Sequence, residues 1–337
     1  MESHDKTCQL APDLKICRIL NGMWQVAGGH GDIDPEFAMP EMFSYHDAGF
    51  TTWDMADIYS PAEEYFGEFR KRLETQRGID EANQVQALTK FVPNPGPMTR
   101  SIVERHMEKS IQKMHVKAID VLQFHWWDYT DTRYIDALYH LTKLCDVGKI
   151  RHIGLTNFDT ERMEIMVEQG FKIVSNQVQY SIIDQRPQVK MEHFCQKNKM
   201  NLIAYGTLCG GFLSKKYLGK KEPIGSDLDT YSLQKYKNMI DAWGGWSLFQ
   251  ELLSILDGIA TKYDSSIANV ATRYILDKPA VAGVIIGARL GISNNVYDNL
   301  KVFSLRLDKE DNEKINSVTS KSRDLFSTVG DCGDEYR

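Results

Sequence analysis

The chain has 337 residues, 42% hydrophobic and 26% charged, with a formal net charge of −6. These values suit one large globular domain with a substantial core. The acidic balance, with no long basic run and no interleaved arginine and aromatic repeat, gives no basis for a nucleic-acid surface.

In chain order, the first stretch, MESHDKTCQLAPDLK, lacks both an apolar signal core and an Arg/Ser-rich amphipathic pattern, and no later segment approaches eighteen consecutive apolar residues. The expectation is a cytoplasmic protein with no membrane segment. Apolar runs of strand length then recur at Ile16–Gln25, Phe50–Asp54, Val85–Lys90, Ile119–His125, Arg151–Asn157, Ile173–Tyr180, Leu202–Tyr205 and Gly283–Gly287. Amphipathic segments with helical spacing lie between them, among them Ser101–Met114, Ile135–Leu144 and Ser247–Tyr263. The strand runs alternate little, as parallel strands covered on both faces do. Eight alternating units without a linker predict an α/β fold, a (β/α)8 TIM barrel, rather than an open sheet. Residues 1–14 read as an extension, 15–307 as the barrel, and 308–337 as a closing helix (Asp308–Phe326) with a tail that is either disordered or folded back. Ala27-Gly28-Gly29-His30-Gly31-Asp32 lacks the G-x-G-x-x-G spacing of a dinucleotide fingerprint. Lys215–Trp246 is long for a strand-to-helix connection, which marks a functional segment.

The stretch Phe50–Arg70, FTTWDMADIYSPAEEYFGEFR, places Asp54 at a strand end and Tyr59 five positions later. A helix is expected directly after it, with Ser60 as cap, Pro61 at the first position and Glu63 completing a capping box. Since the carboxyl ends of all barrel strands share one face, Asp54, Lys90, His125, Thr156 with Asn157, Gln177, Tyr205 and Arg289 converge there. An ammonium from Lys90 beside the Tyr59 phenol favours the phenolate and lowers the phenol pKa. Asp54 holds Lys90, and His125 orients the same substrate oxygen. That set protonates an oxygen as it becomes negative, as in reduction of a carbonyl to an alcohol. The six cysteines, Cys8, Cys17, Cys145, Cys195, Cys209 and Cys332, are scattered and read as reduced thiols. No metal-ligand spacing appears, so no metal is expected.

These residues resemble the aldo-keto reductase family. The match is carried by Gly22-Met23-Trp24-Gln25, by Asp54 to Gly67 with its D-x-x-x-x-Y followed by E and G, by Lys90 and by Asp120-Val-Leu-Gln-Phe-His125. It continues through Gly154-Leu-Thr-Asn157, Gln177, Tyr205 onward, and Gly287-Ala-Arg289 with Asp298-Asn299. It runs from about Lys15 to Leu307. The resemblance implies a nicotinamide cofactor lying across the carboxyl face, NADP(H) with NAD(H) as the alternative, and Tyr59 as general acid completed by Asp54, Lys90 and His125. It implies that Thr156, Asn157 and Gln177 hold the carboxamide and that Tyr205 stacks on the ring. Gly22, Met23, Trp24, Gly206, Leu208, Gly210 and Gly287 would line the cofactor, Arg289 would meet the 2′-phosphate, and Asp298 and Asn299 the adenine. Trp24, Trp126 and Trp127 would form the pocket of a small aromatic or extended carbonyl substrate. Met55, Ser60 and Gly206-Thr207-Leu208-Cys209 depart from the family pattern, and Cys209 is expected to be a thiol that the cofactor shields. Oligomeric state is not legible. The alternative function is a cofactor-sensing subunit with weak or no turnover, like the potassium-channel β subunits that resemble this family.

Overall fold

The computed structural model describes residues 6–28 and 33–336, so that positions 29–32 of the glycine-containing stretch around His30 lie outside the described residues. The first strands, β1 (Thr7–Ala11) and β2 (Leu14–Cys17), form an antiparallel hairpin. Eight further strands close into a parallel barrel. These are β3 (Ile19–Gly22), β4 (Thr52–Asp54), β5 (Gln86–Phe91), β6 (Ile119–His125), β7 (Ile150–Thr156), β8 (Ile173–Gln179), β9 (Asn201–Tyr205) and β10 (Val281–Gly287). Around it lie α1 (Pro35–Asp47), α2 (Ala62–Arg77), α3 (Ile79–Ala82), α4 (Arg100–Met114), α5 (Tyr134–Asp146), α6 (Thr160–Glu168) and α7 (Met191–Lys197). They continue with α8 (Tyr231–Trp243), α9 (Gly245–Lys262), α10 (Ile267–Leu276), α11 (Val296–Leu300), α12 (Lys309–Thr319) and α13 (Leu325–Val329).

Two buried layers explain the continuous apolar strands. Inward side chains (Leu20, Leu88, Val121, Ile203, Ala282) fill the barrel together with Leu10, Ala11, Leu14 and Ile16 of the hairpin, while outward ones join the helices in the larger core. Because side chains alternate along a strand, the inward set continues two residues further to Gly22, Lys90, Gln123, His125 and Tyr205. The polar residues therefore stand at the carboxyl mouth because their apolar neighbours two places earlier fill the barrel.

Three local expectations differ. The run Ile16–Gln25 is broken into the end of β2, then β3, then a short 3-10 helix Trp24–Ala27, because the hairpin pairs the first part back on Thr7–Ala11. The boundary at residue 15 thus falls inside that hairpin. The capping box on α2 does not form: the helix starts at Ala62, Pro61 is the cap residue, and no side chain caps it. Glu63, only 2% exposed, instead turns inward to accept a hydrogen bond from Thr89 Oγ1 at 2.8 Å. Finally, Asp308–Phe326 is not one helix but α12, capped by Asp308 and Asp311, followed by a turn into α13.

Gly67 on α2 shows what the D-x-x-x-x-Y…E…G pattern needs glycine for. A Cβ there would come within 2.0 Å of the Lys113 carbonyl oxygen and 2.8 Å of the His115 ring, so α2 and α4 touch backbone to side-chain position. Gly67→Ala should therefore destabilise by about 1–3 kcal/mol despite alanine's better helix propensity, read as a lowered urea midpoint at unchanged slope.

Candidate active site

The site is built from Asp54 outward. Its Oδ2 accepts a hydrogen bond from Lys90 Nζ at 2.6 Å, and its Oδ1 accepts from Gln123 Nε2 at 2.8 Å and Gln177 Nε2 at 2.6 Å. Lys90 also donates to the Met55 carbonyl at 3.1 Å. The pair is buried, with side chains 4% and 5% exposed. Burial pulls the Lys90 pKa below that of an ordinary lysine, and Asp54 opposes that pull. Gln123, which sequence reasoning did not single out, sits two before His125 on the same barrel-facing side, a period-two signal available in the run Ile119–His125.

Tyr59 is half-buried with Lys90 Nζ 5.1 Å from its ring centroid. The expected lowering of the phenol pKa is reversed. Burial pushes it up, and Asp54, Tyr336 and Asp57 add to the rise. The physical reason is that Asp54 neutralises the Lys90 charge at 2.6 Å, so desolvation decides and the phenol is held protonated. His125 Nδ1 lies 3.0 Å from the Thr156 carbonyl oxygen. A carbonyl only accepts, so Nδ1 carries the proton, and a neutral ring then offers Nε2 as acceptor. Trp127 stands edge-on to the His125 ring at 4.3 Å.

The cofactor candidates divide by what already engages them. Thr156 and Gln177 are partners across β7 and β8, and the Thr156 hydroxyl is buried without a hydrogen-bond partner. Asn157, in the left-handed region at φ 56°, accepts on Oδ1 from the Tyr205 hydroxyl at 2.9 Å. An unpaired hydroxyl beside two amides fits a carboxamide, which both donates and accepts. The Met23 amide donates to the Asp54 carbonyl at 3.0 Å. Gly22 and Gly287 leave room for Ile285 and Gln25, whose atoms lie 2.6 and 2.5 Å from where a Cβ would be. Arg289 is exposed, Asn299 is buried, and Asp298 Oδ2 accepts from Ser266 Oγ and Asn269 Nδ2 at the start of α10, 3.0 Å each. Trp126 does not line a pocket. It is fully buried, donates its indole N–H to the Asp128 and Asp131 carbonyls at 2.8 Å, and packs on Phe124. Trp127, 37% exposed, does reach a cleft of about 650 Å³ shared with Tyr129, Arg162, Lys190 and Phe326.

Two distant segments close on this face. Within Lys215–Trp246, α8 lays Tyr236 against the turn after β9. A Cβ on Gly206, at φ 70°, would lie 2.2 Å from the Tyr236 hydroxyl, and one on Gly210 would lie 2.9 Å from its ring. Cys209 is thus fully buried by the protein itself, its thiol 3.7 Å from Ser181 Oγ and pushed up to about 12 by burial. The expected shielding by cofactor is not needed. The segment after α13 folds back. Arg186, 2% exposed, grips Asp184 with two bonds of 2.8 Å, Glu335 at 2.9 Å and the Asp331 carbonyl at 3.1 Å. This places the Tyr336 ring 6.5 Å from both His125 and Trp127. Lys235, an obligate donor, bonds the Tyr336 hydroxyl, which meets Tyr205 at 3.0 Å, so the chain of donation runs Lys235, Tyr336, Tyr205, Asn157. The closure itself has no local sequence signal: Arg186 meets Asp184 two positions away, but it reaches Glu335 across 149 positions, and Lys235 meets Tyr336 across 101.

Among the described residues no group of three or more His, Cys, Asp or Glu side chains could hold a metal, and no helix is long and apolar enough to cross a membrane. A parallel barrel whose mouth gathers a protonated phenol, a buried ammonium–carboxylate pair and an imidazole defines a class: a barrel suited to proton transfer at a substrate oxygen. A sequence model described as the Aldo/keto reductase family matches residues 18–320. The chain belongs to that family of oxidoreductases, whose members use NAD(P)H. It is 26% identical over 343 residues to the aldo-keto reductase YhdN of Bacillus subtilis (strain 168), covering 96% of this chain and 94% of that one. It is also 26% identical over 260 residues to flagellar radial spoke protein 5 of Chlamydomonas reinhardtii, where the match takes 66% of this chain but spans only 49% of that protein. Of solved structures, the glycerol dehydrogenase AKR11B4 from Gluconobacter oxydans has a TM-score of 0.76 at 22% identity, covering 98% of each chain. An aldo/keto reductase from Klebsiella pneumoniae in complex with NADP and acetate has a TM-score of 0.68 at 19% identity, covering 94% of this chain and 95% of that one.

Asp54→Ala would leave a buried ammonium and two buried amides without their acceptor, and the loss should be about 3–5 kcal/mol, measured by urea unfolding. Asp54→Asn, which retains an acceptor oxygen, should lose less.

Proposed function

We propose that this chain interconverts an aldehyde or ketone and its alcohol with a nicotinamide cofactor, NADP(H) in preference to NAD(H). The observation that carries this reading is the Lys90–Asp54 pair buried beneath the protonated phenol of Tyr59. Tyr59 gives its proton to the substrate oxygen as that oxygen gains negative charge. Lys90 then stabilises the phenolate left behind, with its charge and position fixed by Asp54. His125 Nε2, as acceptor, holds the hydroxyl of the alcohol. The bound cofactor supplies or removes hydride at the carbon. Thr156, Asn157 and Gln177 would hold its carboxamide, and the Tyr205 ring would lie against it. Gly22, Met23 and Trp24 on one side, and the backbone of Gly206, Leu208 and Gly210 on the other, would line its path toward Gly287, Arg289, Asp298 and Asn299.

The preference for NADP(H) rests on Arg289, whose guanidinium is matched to a phosphate, and is supported by the NADP complex of the Klebsiella relative. The Trp127 ring, edge-on to His125 at 4.3 Å, favours an aromatic or extended carbonyl compound; the cleft that Trp127 also lines carries Asp128, Asp159, Glu161, Asp331 and Asp334 and none of the reacting groups. A second reading is a cofactor-binding subunit of a larger assembly with little turnover. It is favoured by the closure of Tyr336 and Lys235 on Tyr205 and by the radial spoke relative. Tight NADPH binding with no turnover across a broad carbonyl panel would select it.

With aromatic aldehydes and ketones, NADPH consumption by Tyr59→Phe should fall about 10²- to 10⁴-fold while cofactor affinity, followed by fluorescence titration, stays near wild type. A fully active Tyr59→Phe enzyme would refute the assignment. Arg289→Ala should weaken NADPH by about 1.5–3 kcal/mol and leave NADH nearly unchanged, and equal weakening of both would remove the 2′-phosphate role.

A further inference from the structure

Between β4 and β5 the hydrogen-bond ladder runs on beyond the ends of the strands. The Gln86 amide donates to the Thr51 carbonyl at 2.9 Å and the Lys90 amide to the Met55 carbonyl at 3.1 Å, each acceptor lying 35 positions before its donor. In the other direction the Met55 amide donates to Leu88 at 2.8 Å and the Asp57 amide to Lys90 at 3.0 Å. The next rung in this register would be the Val92 amide on the Asp57 carbonyl. What the Val92 amide meets instead is the Asp57 side chain, its two carboxylate oxygens 3.2 and 3.3 Å away. Directly after this substituted rung the chain leaves the sheet. The Tyr59 amide turns back to the Ala56 carbonyl at 3.0 Å, and the Tyr59 carbonyl accepts from the Ala62 amide, 2.6 Å, at the start of α2.

We propose that Asp57 is a positioning residue for the reaction. Its carboxylate replaces a main-chain carbonyl as the last rung between β4 and β5, and so fixes where the chain peels away and where Tyr59 lies over Lys90. The inference rests on Tyr59 being the acid. A carbonyl rung would hold residue 57 flat against β5 and carry the extended backbone onward. A side-chain rung reaches Val92 across an extra bond length and lets the backbone turn within two residues. The same backbone hydrogen bond that ties Asp57 to Lys90 then couples the Tyr59 loop to the lysine below it.

The groups facing the carboxylate are Glu63 on α2, Lys113 on α4, Lys90 on β5 and Tyr59 on the same loop. His106 and Lys109 stand in the same cleft. Burial first, then the Glu63 charge, against the hydrogen bond from Val92 and the charge of Lys113, push the Asp57 carboxyl up to about 6. Protonation weakens the rung from a charge-assisted bond to an ordinary one. The sign for stability is the opposite of the usual salt-bridged carboxylate. The folded pKa lies above the unfolded one, so the fold is more stable below the ordinary aspartate value of 3.8 and loses that stability as pH rises through about 6. The ionised rung thus holds the loop at some expense to the whole fold.

The test compares Asp57→Ala, Asp57→Asn and Tyr59→Phe in NADPH-dependent carbonyl reduction across the pH range around 6, with cofactor binding and melting temperature read in parallel. Asp57→Ala, with no rung, should lose about 10- to 100-fold in kcat with unchanged cofactor affinity. Asp57→Asn, which keeps a neutral acceptor, should recover much of that loss, lack the fall in kcat expected of wild type below about pH 6, and melt higher than wild type above that pH. Wild-type kcat in Asp57→Ala would overturn the inference, and so would an Asp57→Asn enzyme as impaired as Asp57→Ala or one retaining the wild-type acid limb. If Asp57→Ala fails to fold, the pH profile of Asp57→Asn decides alone. A Tyr59→Phe enzyme as active as wild type would be a failure of the acid assignment instead, and is read separately from the Asp57 variants.

Discussion

Everything at the mouth of this barrel depends on keeping one ammonium charged where water barely reaches. Lys90 is 4% exposed, and an ion of that size pays several kcal/mol in lost hydration unless its partner geometry is close to ideal. Asp54 supplies that geometry at 2.6 Å, and the remaining lone pairs of Asp54 are taken by Gln123 and Gln177 from two other strands. Four strands of the closed barrel, β4, β5, β6 and β8, thus meet on one carboxylate. Slipping any of these strands by one residue would turn its polar group out of the mouth and leave a buried charge unsatisfied. The register of the barrel and the chemistry at its mouth are the same constraint.

That constraint also assigns the phenol its state. With the lysine charge neutralised by its partner, burial decides, and Tyr59 waits with its proton on. In the proposed reaction, an acid that is loaded beforehand and stabilised afterwards suits a site where negative charge appears on a substrate oxygen only during the step itself. The closing segments add both shape and the Lys235 ammonium, which lies 5.1 Å from the Tyr205 ring centroid. Arg186, satisfied by Asp184 and Glu335, fastens the stretch that carries Tyr336, and α8 brings Lys235 and Tyr236 to the other side of Tyr205. The opening to the reacting groups is therefore set by residues from parts of the chain far from the strands.

How much of this was legible in the sequence follows from the range of each interaction. Strand ends were readable, since barrel topology brings them to one face whatever the details, and β6 matches its expected bounds Ile119–His125. The nearness of Asp54 to Lys90 was readable because they lie on adjacent parallel strands, β4 and β5, and that of Tyr59 because it follows in the loop directly after β4. The helix cap at Ser60 was misjudged because local rules do not know that Thr89 competes for Glu63. Trp126 was misassigned to the pocket because its indole partners, the Asp128 and Asp131 carbonyls, are visible only once the loop is folded. The phenol's direction of shift reversed because sequence shows that two charges are near but not how far they cancel. The closure by Arg186, Lys235 and Tyr336 had no signature at all, being made of contacts between segments with nothing periodic in common.

The central claim is that this face joins hydride transfer at carbon to proton transfer at oxygen. The most direct measurement is to supply the protein with reduced NADP carrying deuterium at the transferable position of the nicotinamide, with an aromatic aldehyde as substrate, and to locate the label by mass spectrometry and NMR. The account predicts deuterium on the alcohol carbon of the product, with the hydroxyl hydrogen drawn from solvent. Label retained on the cofactor while alcohol forms, or no alcohol from any carbonyl tried despite saturating cofactor, would contradict it.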